Sequence, residues 1–245
     1  MRESLLGPFQ FKGICFRNPF AIASTGPEGN KGRVTPELLI WFRVQAHSDA
    51  ALVVAGPASL LPPVGKFTCL RADQPKFQEG LRTLAKVLES AGAVPGLRLI
   101  DSCHSSHGTE LLQRLNMGAK AVCLRLHALG FRYFEIDLPN CGLLSRIAGE
   151  WPVLWSGFFV ELVDALAGQA ILALRIADPG STGAARAFLE AGGDLVVARE
   201  SQLLAGLNRG QSMIEMAQGC SAHKVVEHLR QAIFVGLPEK KVSDH

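Results

Sequence analysis

Short apolar runs alternate along this chain with amphipathic stretches of roughly a dozen residues, and that alternation marks repeated βα units. Pro19–Ala23 reads as a first buried strand ending in Ser24-Thr25-Gly26. Ala51–Ala55 reads as a second, broken by Gly56-Pro57. Leu97–Ile100, Tyr133–Asp137, Ala170–Ile176 and Leu195–Ala198 follow as strands. Pro152–Trp155 reads either as a further strand or as the lead-in to a helix over Phe158–Leu166. Between the strands, Thr35-Pro36-Glu37 is a helix start, with Thr at the N-cap, Pro at the first helical position and an acid in the first turn. That helix runs to about His47, with Leu38, Leu39, Trp41, Phe42 and Val44 as its apolar side. Phe77–Ala91 carries Leu81, Leu84, Val87 and Leu88 at helical spacing and is ended by Gly92. Further helices are expected over Thr109–Leu129, stopped by Gly130, over Thr182–Ala191, and over about Lys224–Phe234.

Helical crossovers throughout imply a parallel sheet with right-handed connections. The fold class is α/β. A closed (β/α)8 barrel of the TIM type needs eight strands. With six strands and one ambiguous run, the chain is expected to form a shortened or incomplete barrel over residues 1–210, with a C-terminal helical tail over 211–245 packed on it or extending from it.

The 245 residues are 48% hydrophobic and 19% charged, enough to bury a substantial core. The net charge of +3 comes without a basic run, so nothing points to nucleic acid. The six cysteines form no C-x-x-C pair, which suits reduced thiols in a cytoplasmic protein. No apolar stretch approaches the roughly 20 residues that span a bilayer. His104 and His107 lie close together in a serine-containing loop, and a surface loop is the simpler reading than a metal site. Gly26-Pro27-Glu28-Gly29-Asn30 lacks the glycine order of a phosphate-binding fingerprint.

The chemistry concentrates around Tyr133-Phe-Glu-Ile-Asp-Leu-Pro-Asn-Cys-Gly-Leu-Leu144. In a βα protein the C-terminal ends of strands display the reacting groups. A carboxylate stands there at Asp137 and an amide at Asn140.

Several segments, in order, resemble the Old Yellow Enzyme family of FMN-dependent NAD(P)H:flavin oxidoreductases. Phe9-Gln10-Phe11-Lys12-Gly13 with Phe16-Arg17-Asn18-Pro19 is similar to the family's opening F-x-I-G-x-L-x-L-x-N-R. Val34–Leu39 resembles its first barrel helix, Ala51–Ala55 its G-L-I-I-T strand, and Leu97-Arg98-Leu99 its Q-L-x-H strand. Leu129-Gly130-Phe131 leading to Phe134-Glu135-Ile136 resembles A-G-F-D-G-V-E-I, and Asp194–Arg199 resembles D-L-V-A-L-G-R. The resemblance covers about residues 8–205 and rests on the order of weak motifs.

The resemblance implies an FMN site, NADH or NADPH as reductant and a small-molecule substrate. Cofactor contacts would come from Ala23, Ser24 and Thr25, from Gly56, from Arg98 where the family has glutamine, and from Arg175 and Arg199. Arg175 aligns either with the end of the family's fifth strand or, in the alignment that fits without gaps, with its seventh. The phosphate would then rely on Arg175, Arg199 and the backbone of Gly180-Ser181-Thr182. The catalytic candidates are Asn140 and Asp137. Where the family places its imidazole or amide pair and a proton-donating tyrosine, this chain has Asp137, Asn140 and Gly142. An ionised aspartate cannot donate a hydrogen bond to a developing oxyanion, and glycine has no proton to give. Arg98 either tunes a flavin or pairs with Asp137. Cys220 lies near the place of the iron–sulfur cysteines of some family members, but alone it holds no cluster. Two functions therefore stay open: a divergent FMN-binding oxidoreductase, and a degenerate barrel serving as a structural or regulatory subunit. The missing strands also predict self-association or a partner subunit over exposed sheet edges.

Overall fold

The computed structural model describes residues 7–26, 32–60, 69–100, 108–137, 151–176, 185 and 188–198, with backbone alone for 108–117, 151–158, 176 and 198. An antiparallel hairpin of β1 (Phe9–Phe11) and β2 (Ile14–Phe16) opens the fold. It turns through Lys12 and Gly13, whose φ angles of 50° and 75° are those a two-residue hairpin turn demands. The parallel strands follow: β3 (Ala21–Ser24), β4 (Leu52–Ser59), β5 (Leu70–Arg71), β6 (Val94–Ile100), β7 (Tyr133–Asp137), β8 (Ile171–Ile176) and β9 (Leu195–Ala198). The helices between them are α1 (Pro36–Ala46), α2 (Gln78–Ser90), α3 (Gly108–Ala128) and α4 (Trp151–Leu166).

The strands pair in the order β3-β4-β6-β7-β8-β9, all parallel, with β5 as a short side branch on β4. This six-stranded path curls through 209°, a half-barrel with helices outside, as expected of a shortened TIM-type barrel. All six expected strands are present within a few residues of their expected bounds. Two strand pairs lay outside the sequence reading: the opening hairpin and β5.

Local chemistry explains the helix boundaries. The Thr35 hydroxyl accepts from the Leu38 backbone N–H at 3.3 Å, which caps α1. Leu38, Phe42 and Ala46, spaced by four, are the buried stripe. Trp41 and Val44, expected on that apolar side, are instead 39% and 61% exposed, because one stripe suffices for a helix packed on one sheet face. Helix α2 buries Leu81, Leu84, Ala85 and Leu88 and ends at Gly92, which adopts a φ of 78°. The ambiguous run Pro152–Trp155 belongs to the first turns of α4, where proline is tolerated. Strand β4 does not stop at Gly56-Pro57: it continues to Ser59, and its register with β6 shifts between Ala55 and Ala58. Proline lacks the N–H for the ladder, and this irregularity accommodates it.

Alternation along the strands divides the core in two. Leu97, Leu99, Phe134, Ile136, Leu172 and Leu174 pack outward against the helices. Leu52, Val54, Val94, Tyr133, Ile171 and Ala173 point into the concave side and meet Phe16, with Phe9, Phe11 and Ile14 of the hairpin against them. The hairpin thus forms the floor of the half-barrel, with the Phe9 and Phe16 rings stacked 4.9 Å apart. Two ionic ties hold it. The Arg17 guanidinium donates to the carbonyls of Ala46, Ala50 and Ala91, where the C-termini of α1 and α2 gather partial negative charge. Lys12 pairs with Asp194 at 2.7 Å, and Asp194 in turn accepts from the Leu172 N–H at 2.8 Å. The expected tail, 211–245, lies outside the described residues. No helix among the described residues is long and apolar enough to cross a membrane.

Candidate functional site

Above the apolar floor, the C-terminal ends of β6, β7 and β8 carry charge on the same concave face. Parallel register sets Arg98 beside Glu135 and Ala173, and Ile100 beside Asp137 and Arg175. Arg98, Glu135, Asp137 and Arg175 alternate with the outward-facing leucines, isoleucines and Phe134, so all four point into the concavity. Glu135 is fully buried. One of its oxygens, Oε1, accepts from Arg98 Nε at 2.7 Å and from Arg175 Nη1 at 3.1 Å. The other, Oε2, is buried, and so is the Tyr133 hydroxyl two residues below. Asp137, at the outermost position, lies 3.7 Å from Arg175 Nε and is 25% exposed. Two cations and two carboxylates thus form a graded column, fully buried at Glu135 and partly exposed at Asp137.

The sequence reading gave Arg98 a choice between tuning a ligand and pairing with Asp137. The structure pairs Arg98 with Glu135, and Arg175 is the cation beside Asp137. Residues two apart on a strand share a face, and the strand order puts β7 between β6 and β8. That geometry selects Glu135 as the common partner. Glu135 was missed as a site residue. Its signal was present: a glutamate in an otherwise apolar run, since a buried carboxylate requires paired cations.

Electrostatics reach down to Tyr133. Burial first, then the Glu135 carboxylate, pushes its phenol well above the ordinary tyrosine range, against a smaller opposing pull from Arg98 and Arg175. A neutral phenol is therefore held beneath the ion cluster.

The remaining candidates separate. Gly56 belongs to the cluster's wall: its φ is +128°, and a Cβ there would stand 2.8 Å from the Arg98 carbonyl oxygen, so only glycine admits this approach of β4 to β6. Ser24, at the end of β3, spends its hydroxyl oxygen on Trp41 Nε1 at 2.9 Å and on the Gly26 N–H at 3.3 Å. It is thereby a link between β3 and α1. Ala23 is half-buried against the concave core, and Thr25 is exposed. Arg175 sits on β8, directly beside β7 and fifth along the parallel path. Asn140, Arg199, His104, His107 and Gly180–Thr182 lie outside the described residues. No cluster able to hold a metal occurs among the described residues.

No family model matches the chain, and no curated protein sequence matches it. Solved structures do. Morphinone reductase in complex with tetrahydroNAD aligns with a TM-score of 0.68 at 12% identity, covering 97% of this chain and 87% of that one. The Old Yellow Enzyme homologue from Zymomonas mobilis aligns at 0.60 and 10% identity, covering 80% and 73%. 2-Naphthoyl-CoA reductase, in its 2-naphthoyl-CoA complex, aligns at 0.63 and 12% identity over 87% of this chain. The chain spans about half the length of that reductase, 46%. The chain thus has a divergent, shortened Old Yellow Enzyme-like fold.

Proposed function

We propose that the mouth of the half-barrel binds a flavin, FMN, by its ring edge, and that the chain is a divergent NAD(P)H-dependent oxidoreductase of the Old Yellow Enzyme type. The observation that carries this reading is the pair of guanidiniums, Arg98 and Arg175, drawn to one buried carboxylate at the strand ends. Such a pair presents planar donors where a ring's N–C=O edge offers planar acceptors. The donor set fits the pyrimidine edge of an isoalloxazine. When bound, a flavin would supply hydride transfer that the side chains cannot perform themselves.

The roles of the chain's own residues follow from their places. Arg98 and Arg175 orient the ring edge and favour negative charge on it. Gly56 lets β4 approach β6 closely enough to set Arg98 at the rim. The apolar floor of Phe16, Leu52, Val94 and Ile171 keeps water from below. Asn140, which lies outside the described residues, would by the family resemblance alone polarise an acceptor's oxygen. Asp137 has only acceptor atoms when ionised and would repel a developing oxyanion, so it limits ordinary ene-reduction.

That same carboxylate favours a second reading, a barrel without turnover that serves as a structural or regulatory subunit and retains an anion or flavin site. The purified protein's visible spectrum separates the two. Under the first reading it shows the flavin band, or gains it with added FMN, and NADH or NADPH bleaches it. Under the second, flavin is bound and stays oxidised. A colourless protein that takes up no FMN would sink the flavin site in both.

A further inference from the structure

We propose that Glu135 is a positioning residue that clamps Arg98 and Arg175 together into one two-pronged acceptor-binding site. It rests on the proposed function only for the identity of the ligand. Two guanidiniums brought onto a single oxygen would otherwise repel each other and turn toward solvent. Glu135 Oε1 takes one donor from each, Arg98 Nε and Arg175 Nη1. The contacts come from opposite sides, because β7 lies between β6 and β8. Neither contact uses a whole fork. The Nη1 and Nη2 groups of Arg98 and the Nη2 group of Arg175 make no hydrogen bond among the described residues. The arginines are 13% and 19% exposed, against 0% for Glu135, so the carboxylate is the most deeply buried of the three. The ligand chemistry that fits is a planar group with two adjacent acceptor atoms, as in a ring's N–C=O edge or a carboxylate.

The chain carries a reporter for this clamp. Tyr133 is its single tyrosine and lies directly below Glu135, so tyrosinate absorbance reads one site. The Glu135 charge raises the Tyr133 titration and both arginines lower it. In the apoprotein, Glu135→Gln should therefore move the tyrosinate midpoint down, and Arg98→Gln alone should move it up. The clamp makes a sharper demand: in the Glu135→Gln background, Arg98→Gln should change the midpoint little, because the released guanidinium has already swung away. Midpoint shifts that simply add would overturn the clamp, since independent charges add. This readout needs no ligand and stands even if no flavin binds.

With ligand, riboflavin and benzoate serve as probes, one offering the ring edge and the other a carboxylate. Glu135→Gln should weaken each probe that the wild type binds by about tenfold or more, matching Arg98→Gln, with the double variant no worse than about twofold beyond either. Affinity within twofold of wild type in Glu135→Gln would overturn the proposal. If that variant does not fold, Arg98→Lys keeps the buried charge pair and loses the planar fork. It should fold and still bind about tenfold less tightly, and unchanged binding in it would count against the site.

Discussion

The floor and the rim of the half-barrel share β6 and β8, with Val94 and Arg98 four residues apart on one and Ile171 and Arg175 four apart on the other, yet they are held together by opposite physics. At the floor, Phe16, Leu52, Val94 and Ile171 meet the hairpin phenylalanines and bury apolar surface, a non-directional interaction worth roughly 25 cal/mol per Å². At the rim, Arg98, Glu135, Asp137 and Arg175 hold four charges within a few ångströms. The desolvation of such a cluster rivals its Coulombic gain, so it adds little to stability. A fold that needed only to be stable would continue the floor upward. The charged rim is therefore where function is to be sought, and the floor is what makes its position reproducible.

That division can be broken most forcefully at the floor. Phe16→Ala should destabilise the protein by about 3–5 kcal/mol in urea denaturation. Ligand affinity in the fraction that stays folded should be unchanged, and a matching loss of affinity would erase the distinction. Next in size is the replacement of the whole clamp, Arg98→Met, Glu135→Leu and Arg175→Met together. It should leave stability unchanged or raise it by about 1–4 kcal/mol while abolishing flavin or benzoate binding. A large drop in melting temperature would make the rim structural after all.

Tyr133 sits at the boundary and supplies a pH test. Its folded-state titration is raised, so its contribution is complete below the unfolded value of 10.0 and declines as pH rises above it. Stability should fall more steeply above pH 10 in the wild type than in Tyr133→Phe. At neutral pH, Tyr133→Phe should cost no more than about 1.5 kcal/mol, the ordinary net worth of one hydrogen bond, here to Glu135. The smallest effect belongs to Asp137→Asn. A quarter-exposed carboxylate at the rim is screened by solvent, and its replacement should change stability by about 1 kcal/mol or less. It also supplies an N–H donor at the mouth, so under the enzyme reading any reduction of an electron-poor acceptor should speed up. Equal rates in Asp137→Asn and wild type would remove Asp137 from the chemistry. Cysteine mapping checks the hairpin's placement: iodoacetamide should label exposed Cys15, while Cys69 and Cys123, buried and pushed up to about 11 and about 12, stay unmodified until unfolding.

Much of the architecture was legible in the chain itself. Tyr133–Asp137 and Leu195–Ala198 have their expected bounds, and Thr35-Pro36 marks the start of α1, because periodicity, caps and helix-ending glycines are local. The hairpin was less legible, since its two strands of three residues are too short to show alternation. The continuation of β4 past Gly56-Pro57 also escaped, because a register irregularity absorbs the missing proline donor only when β6 lies alongside. At the site, Arg98, Asp137 and Arg175 were visible as charges at strand ends, but their partners were not.

By itself the sequence determined the six main strands, the parallel βα class and the positions at which charge interrupts apolar strands. These depend on contacts among neighbours in the chain. Only the tertiary structure decided that β7 lies between β6 and β8, and that Glu135, rather than Asp137, takes both arginines. Arg98 and Glu135 are 37 residues apart, and Glu135 and Arg175 are 40. No local preference chooses between partners at that separation. Strand order and the two-residue period of the sheet do, by placing one carboxylate oxygen between two guanidiniums.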